Sequence, residues 1–191
     1  MSEGGFIVLR RLLVPIIVVV GLFTPTVAQA APPYEHMHYS GTDSFTDTLC
    51  GLAITGTVEF SGVTTVRTVK GSDGQAFLAH NNYETVETIT YAATGNKIVF
   101  TANGVFHEQR ASHVSGTVWS FDFLDAGTFT ITDLDGNRLL RDRGVIKIRQ
   151  LFDTLGDSQP GGILISEELL ALHGPHADES TFCNVVLDQL T

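Results

Sequence analysis

The chain has 191 residues, a formal net charge of −10 and 43% hydrophobic residues, which is the size and composition of one globular domain. The acidic balance repels phosphate backbones and anionic lipid headgroups, so it argues against nucleic acid or a charged membrane surface as partners. The sequence contains no glycine-rich phosphate loop and no G-x-S-x-G, H-E-x-x-H or C-x-x-C motif. We therefore predict neither a cofactor nor a metal site.

The first thirty residues have the pattern of a secretory signal peptide. Arg10 and Arg11 precede the apolar run Leu12–Phe23, and Ala28–Ala30 supplies an A-x-A cleavage site. The run is shorter than the roughly 20 residues that a membrane-spanning helix needs. We expect cleavage after Ala30, secretion, and no stable membrane insertion of the mature chain.

The next segment, residues 31–47, opens with two prolines and shows no periodicity, so it is interpreted as an extended leader. A single domain is then expected over residues 48–191. Its first predicted strand is Thr48–Phe60, in which Gly51 and Gly56 would mark a bulge or bend. Val63–Val69 follows with alternating apolar and polar residues, typical of a second strand.

Two more strands are predicted from the same alternation. They are Tyr83–Tyr91 and Lys97–Phe106, entered through turns at Gly71–Gly74 and Thr94–Asn96. Phe106–Arg110 either continues the second of them or begins the next strand.

The central part of the chain has the clearest strand pattern. Val118–Phe123, Thr128–Thr132 and Val145–Phe152 alternate with period two, and the turn chemistry of Asp125–Gly127 and Asp135–Asn137 separates them. Such a succession predicts an antiparallel meander.

The last third of the chain ends in a predicted helix. Ile163–Leu172 has features of both a strand and a helix, and its position after the turn Gly156–Gly162 favours a strand. Asp178 can cap a helix whose apolar face carries Cys183, Val186, Leu187 and Leu190. The complete pattern predicts an all-β fold: an antiparallel up-and-down β-barrel of seven or eight strands with a short C-terminal helix. A β-sandwich is the alternative.

Cys50 and Cys183 are the two cysteines of the chain. An even count in an exported protein favours one disulfide, which would join the first strand region to the last segment. Two buried free thiols or a reactive cysteine are the alternatives. The surroundings of Cys50 contain no cationic residue of the kind that activates a thiol.

The most polar strand-like segment is Phe106–Arg110. Alternation would place His107 and Gln109 on one face, and Glu108 and Arg110 on the other. If His107 points into a barrel, it is a candidate general base, and if it points outward it is a surface histidine.

Two other groups of side chains could bind something. Trp119, Phe121 and Phe123 share one face and form either part of the core or the lining of a ligand cavity. His36 and His38 would lie on one side of an extended chain as a possible metal pair, but without a third ligand we interpret them as exposed polar residues.

Several short motifs together resemble a family of secreted bacterial proteins of actinobacterial type. The motifs are Leu49-Cys50-Gly51 after Phe45, Leu140–Gly144, Phe152–Thr154 with Gly156-Asp157 and Pro160–Gly162, Gly174–His176, and Phe182-Cys183. The resemblance implies export and pairing of the two cysteines, and it carries over no catalytic residue. In mature size and strand count the chain is also similar to allene-oxide-cyclase and dirigent-type β-barrels, a likeness of architecture alone.

These observations lead to one expected function and two alternatives. We expect a secreted, non-catalytic β-barrel that binds a small apolar ligand or a protein partner. The first alternative is a cofactor-free cyclase or isomerase that uses His107 or Arg110 in a cavity. The second is a cell-envelope protein that acts through its outer surface.

Overall fold

The computed structural model describes residues 34–191, which form one antiparallel sheet followed by a short helix. The predicted signal peptide and its cleavage after Ala30 lie outside these residues. The elements are β1 (Tyr34–Leu49), β2 (Leu52–Thr68), β3 (Phe77–Tyr91), β4 (Lys97–Ser115), β5 (Val118–Thr132), β6 (Arg138–Asp153), β7 (Ile163–His173) and α1 (Glu179–Leu190). In this part of the chain no helix combines the length and the apolar character needed to cross a bilayer.

Each strand pairs with the next one along the chain, so the sheet order is β1 to β7 without a crossover. This confirms the predicted all-β, up-and-down meander with a C-terminal helix, and it confirms that the ambiguous segment after residue 162 is a strand. Within residues 34–191 no pairing joins β1 to β7, so both strands are edges of the sheet. Closure into a barrel, and the sandwich alternative, stay predictions.

The first strand begins well before the predicted domain boundary. Most of the expected leader belongs to β1, which pairs with β2 along its whole length. Cys50 and Gly51 have positive φ values of 50° and 83° and form the turn of this first hairpin, so Gly51 is not a bulge within a longer strand. The sequence concealed the strand because the segment is rich in serine, threonine and aspartate, which suit an edge strand but show no apolar alternation.

A second correction concerns the predicted turn at Asp125–Gly127. No turn occurs there, and β5 is continuous from Val118 to Thr132. Gly127 is paired with Gly104 of β4, and a side chain on Gly127 would collide with the backbone of β4. This glycine therefore permits a close approach between strands and does not mark a change of direction.

One face of the sheet, here called the inner face, carries two separate apolar clusters. The first cluster consists of Ile54, Ile89, Ile98, Phe100, Ile131 and three helix residues, Phe182, Val186 and Leu190. The second consists of Ala76, Leu78, Trp119 and Phe121, with Val69, Ala111 and Phe152 packed against it. The helix therefore covers one end of the inner face, and the opposite end is built from strand residues together with Val69 and Ala76 of the β2–β3 connection.

Between these clusters a row of successive register partners that contains only glycine and tyrosine crosses the sheet from β1 to β6. This glycine row consists of Tyr39, Gly62, Tyr83, Gly104, Gly127 and Gly144. The Tyr83 hydroxyl lies where a side chain on Gly104 would begin, and Tyr39 occupies the same position over Gly62. Aromatic rings that cover strand glycines in this way fill the space above them. The two tyrosine hydroxyls thereby reach the next row of the inner face.

The helix is attached to the sheet by covalent and polar contacts. The predicted disulfide between Cys50 and Cys183 is confirmed, with their Cα atoms 5.5 Å apart. Asp178 caps the helix by accepting a hydrogen bond from the backbone N–H of Thr181. Just before the helix, His176 Nδ1 lies 2.9 Å from the Asp142 carboxylate of β6. The helix therefore has a fixed position over the first apolar cluster.

Candidate functional site

A polar network lies on the inner face beside the glycine row. The side-chain amide of Asn81, only 3% exposed, hydrogen-bonds to the hydroxyl groups of Tyr39 at 3.0 Å and Thr64 at 2.9 Å. Asn81 and Thr64 are register partners, and Tyr39 reaches them from the adjacent row of β1. A buried amide needs such partners because an unpaired one costs about 1–3 kcal/mol.

A tyrosine and a carboxyl group form a second polar pair on the same face. The Tyr83 hydroxyl donates a hydrogen bond to the Asp125 carboxylate at 3.0 Å. Burial raises the pKa of Asp125 to about 6, even though the bond from Tyr83 acts in the opposite direction. Burial, together with the neighbouring Asp125 charge, raises the pKa of Tyr83 as well. The pair can therefore present either a carboxylate or a neutral acid close to neutral pH.

Glu108 is the most deeply buried carboxyl group on this face. Burial raises its pKa to about 7, and its Oε2 atom accepts a hydrogen bond from the backbone N–H of Ala79. The neighbouring rings of Phe106 and Phe123 have centroids 4.9 Å apart. Perturbed carboxyl groups in apolar surroundings are candidates for proton transfer or for donation of a hydrogen bond to a ligand.

The prediction that Glu108 and Arg110 share a face is wrong. A β-bulge between them leaves Gln109 without a partner on β5, whereas Glu108 pairs with Phe123 and Arg110 pairs with Asp122. The extra residue reverses the alternation, so Glu108 lies on the inner face and Arg110 on the outer face. Gln109 and Arg110 are both exposed and do not contribute to the inner site.

His107 also lies on the outer face. It alternates with the inward-facing Phe106 and is the register partner of His80. The Nδ1 atoms of the two histidines are 3.1 Å apart. Burial, His80 and Arg67 lower the pKa of His107. His107 is therefore not a general base of the inner site.

Of the predicted cavity residues, the three aromatic side chains do lie on the inner face. Trp119, Phe121 and Phe123 are all buried. The Trp119 Nε1 atom is buried without a hydrogen-bond partner among the described residues. A buried donor of this kind calls for an explanation such as a bound water or ligand.

The inner face is uncovered at the β7 edge. Leu164, Leu169 and Leu172 of β7, here called the β7 leucines, are 38%, 39% and 49% exposed. Their rows run through β6 to β5 as Leu164–Phe152–Trp119, Leu169–Ile148–Phe123 and Leu172–Ile146–Asp125. Each of these rows passes from an exposed leucine to a buried residue. The result is an open strip of leucine rows that is interrupted by one polar row, Glu167–Gln150–Phe121, in which the Gln150 amide donates a hydrogen bond to Glu167 at 2.6 Å.

A separate open groove of about 480 Å³ lies near the other edge of the sheet. Its lining is Ser44, Phe45, Thr46, Thr55, Gly56, Thr57, Thr88, Thr90 and Lys97. Six of these nine residues are serine or threonine, so the groove offers several hydroxyl groups beside apolar surface.

Sequence reasoning missed Asn81, Glu108 and Asp125 as site residues. For Asn81 a signal existed, because it shares the alternation of the apolar Ile89 and hence the buried face. For Glu108 the sequence left open whether Phe106–Arg110 continues its strand or begins the next, and the bulge beside it has no local signature. No family model, no curated protein and no solved structure matches the chain.

Proposed function

We propose that the protein is a secreted binding protein that holds a small, mostly apolar molecule with an oxygen acceptor against the inner face of β5–β7. The exposure of the β7 leucines carries this proposal. Each of them ends a row of otherwise covered inner-face residues, so a bound molecule would complete the apolar surface. Covering the three half-exposed side chains contributes about 2–3 kcal/mol.

The polar part of the ligand is inferred from the donors along the same face. Trp119 Nε1 is an unused N–H donor. Glu108, whose pKa is about 7, is partly protonated near neutral pH and can then donate through its O–H. A carbonyl, ester or ether oxygen matches these donors, whereas a carboxylate would meet the charge of Glu108 and Asp125. A mostly apolar site with a few placed polar groups is the usual composition of a small-molecule pocket.

Secretion is part of the proposal and rests on the signal-peptide pattern of the first thirty residues. The disulfide between Cys50 and Cys183 supports it, because such bonds persist in oxidising compartments.

The test uses Nile red, a neutral apolar dye that carries a carbonyl oxygen. We expect fluorescence enhancement with the wild-type protein and at least about fivefold weaker binding to a Leu172→Lys variant, whose charge would lie on the inner face. Ile163→Lys is the matched control, because Ile163 belongs to the same strand and is 59% exposed, but pairs with the outward-facing Asp153.

Equal weakening by both variants would contradict the inner site and favour binding of a partner along the whole β7 edge. Absence of dye binding to the folded wild type would also count against the proposal.

A second candidate is a cofactor-free isomerase or cyclase, favoured by the carboxyl group of Glu108 with its pKa of about 7. In this version Glu108 replaces His107 and Arg110 as the acid or base. To test for catalysis, the protein is incubated with a panel of small epoxides and enones, and the mixture is analysed by chromatography for products of unchanged mass. Conversion by the wild type that is lost in Glu108→Gln supports catalysis, and equal conversion by both refutes it.

A further inference from the structure

We propose that His80 and His107 form a binding site for a divalent transition-metal ion of the Zn²⁺ class on the outer face of the sheet. The two residues are direct register partners on β3 and β4, 27 residues apart in the chain. Their Nδ1 atoms face each other at 3.1 Å, with ring centroids 5.1 Å apart and an interplanar angle of 72°.

This separation is close to what a shared metal ion requires. Two imidazole nitrogens at about 2.0–2.1 Å from a tetrahedral Zn²⁺ are about 3.3 Å apart. The observed distance therefore differs from the bound geometry by only a few tenths of an ångström. Both side chains project from paired strands, so the backbone holds them in this arrangement before an ion binds.

The chain supplies two ligands to this site. Within residues 34–191 no group of three or more His, Cys, Asp or Glu side chains could hold a metal ion, so water completes the coordination. The charge of Arg67, which influences His107, opposes a cation, while the net charge of −10 on the whole chain favours one. Imidazole is a preferred ligand of Zn²⁺, Cu²⁺ and Ni²⁺, and carboxylate-seeking ions such as Mg²⁺ do not fit this pair.

The other close histidine pair, His36 and His38, which the sequence led us to interpret as exposed polar residues, is less suited to the same ion. His36 and His38 have ring centroids 5.3 Å apart, and His36 Nδ1 is engaged with the Thr65 hydroxyl at 3.1 Å. We therefore infer one ion per chain, held between β3 and β4.

Isothermal titration of the whole chain with Zn²⁺ alone tests the site. We expect a stoichiometry of one and at least about tenfold weaker binding to either His80→Gln or His107→Gln. His38→Gln is the matched control, because it removes an exposed histidine from the rival pair and should leave the affinity unchanged.

Two further measurements make the result decisive. Thermal unfolding in a chelator should give the same midpoint for wild type and variants, which shows that lost binding is not lost folding. If a variant does not fold, NMR of the histidine nitrogens in the wild type tests the site instead. Zn²⁺ should then shift the Nδ1 signals of His80 and His107 alone. No binding by the wild type at about 1 mM Zn²⁺, or binding by both site variants that is as tight as that of the wild type, would overturn the proposal.

Discussion

The disulfide between Cys50 and Cys183 allows a quantitative prediction for folding stability. Cys50 lies in the turn that joins the first two strands, and Cys183 lies in the C-terminal helix, 133 residues later. The bond therefore closes a loop that contains most of the described chain. Removal of this bond therefore increases the conformational entropy of the unfolded chain more than removal of a bond between neighbouring elements would.

Chain entropy sets the size of the effect. For a loop of 133 residues, closure removes about 17 cal/mol/K from the unfolded chain, or about 5 kcal/mol at 25 °C. Single domains are typically stable by about 5–15 kcal/mol, so this is a large fraction of the total. Phe182, Val186 and Leu190 remain buried against the sheet without the bond, so we expect the helix to stay docked.

The measurement is urea unfolding of a Cys50→Ala/Cys183→Ala variant, followed by Trp119 fluorescence and by circular dichroism. Alanine is chosen because both cysteines are half-buried against the first apolar cluster and a serine hydroxyl would lack a partner there. We expect the free energy of unfolding to fall by about 4–5 kcal/mol. Wild-type protein in a reducing agent is the control and should match the variant.

Two results would refute this reasoning. One is a loss below about 1 kcal/mol, which would mean that the unfolded chain is not constrained by the bond. The other is the detection of two free thiols in native wild-type protein, which would restore the alternative of unpaired cysteines. Early loss of the helical signal alone would instead show that the bond mainly holds the helix in place.

Two further predictions concern the inner face. In urea unfolding, Gly104→Ala should lower the free energy of unfolding by about 2 kcal/mol, because the new Cβ would meet the Tyr83 hydroxyl and the β5 backbone. The control, Thr101→Ala on the outer face of β4, should lower it by less than about 1 kcal/mol. Equal losses in the two variants would contradict the close packing at Gly104. Burial raises the pKa of Glu108 from 4.5 to about 7, so the folded state binds more protons than the unfolded state in this interval. Its contribution is fully favourable below pH 4.5 and is lost as the pH rises through about 7, a change of about 3 kcal/mol at most. Glu108→Gln keeps an acceptor for the Ala79 N–H and should flatten this part of the stability curve; an unchanged slope would show that Glu108 is not the titrating group.

Strand positions were readable from the sequence wherever alternation was regular. Tyr83–Tyr91 and Lys97–Phe106 were predicted from their alternation, and both segments belong to strands that the structure contains. The C-terminal helix was predictable because Asp178 supplies a cap and apolar residues recur with helical spacing. The first strand was not, since its polar edge segment has no alternating core face.

The site was less predictable than the fold because alternation assigns a face within one strand but not the register between strands. The extra residue Gln109 reverses the face of the sheet on which each later residue of β4 lies. Arg110 therefore lies on the outer face, whereas Glu108 lies on the inner face. Nothing local distinguishes this bulge from a regular strand.

The sequence by itself determined the all-β class, the antiparallel up-and-down succession of strands, the C-terminal helix and the two partners of the disulfide. Only the tertiary structure decided which side chains meet across the sheet. His80 faces His107, Tyr83 reaches Asp125, and the β7 leucines lie beside buried rows, although these partners are far apart in the chain. Local periodicity reflects burial along one strand, whereas these contacts depend on pairing register, which is set by turns, bulges and close glycine contacts acting together.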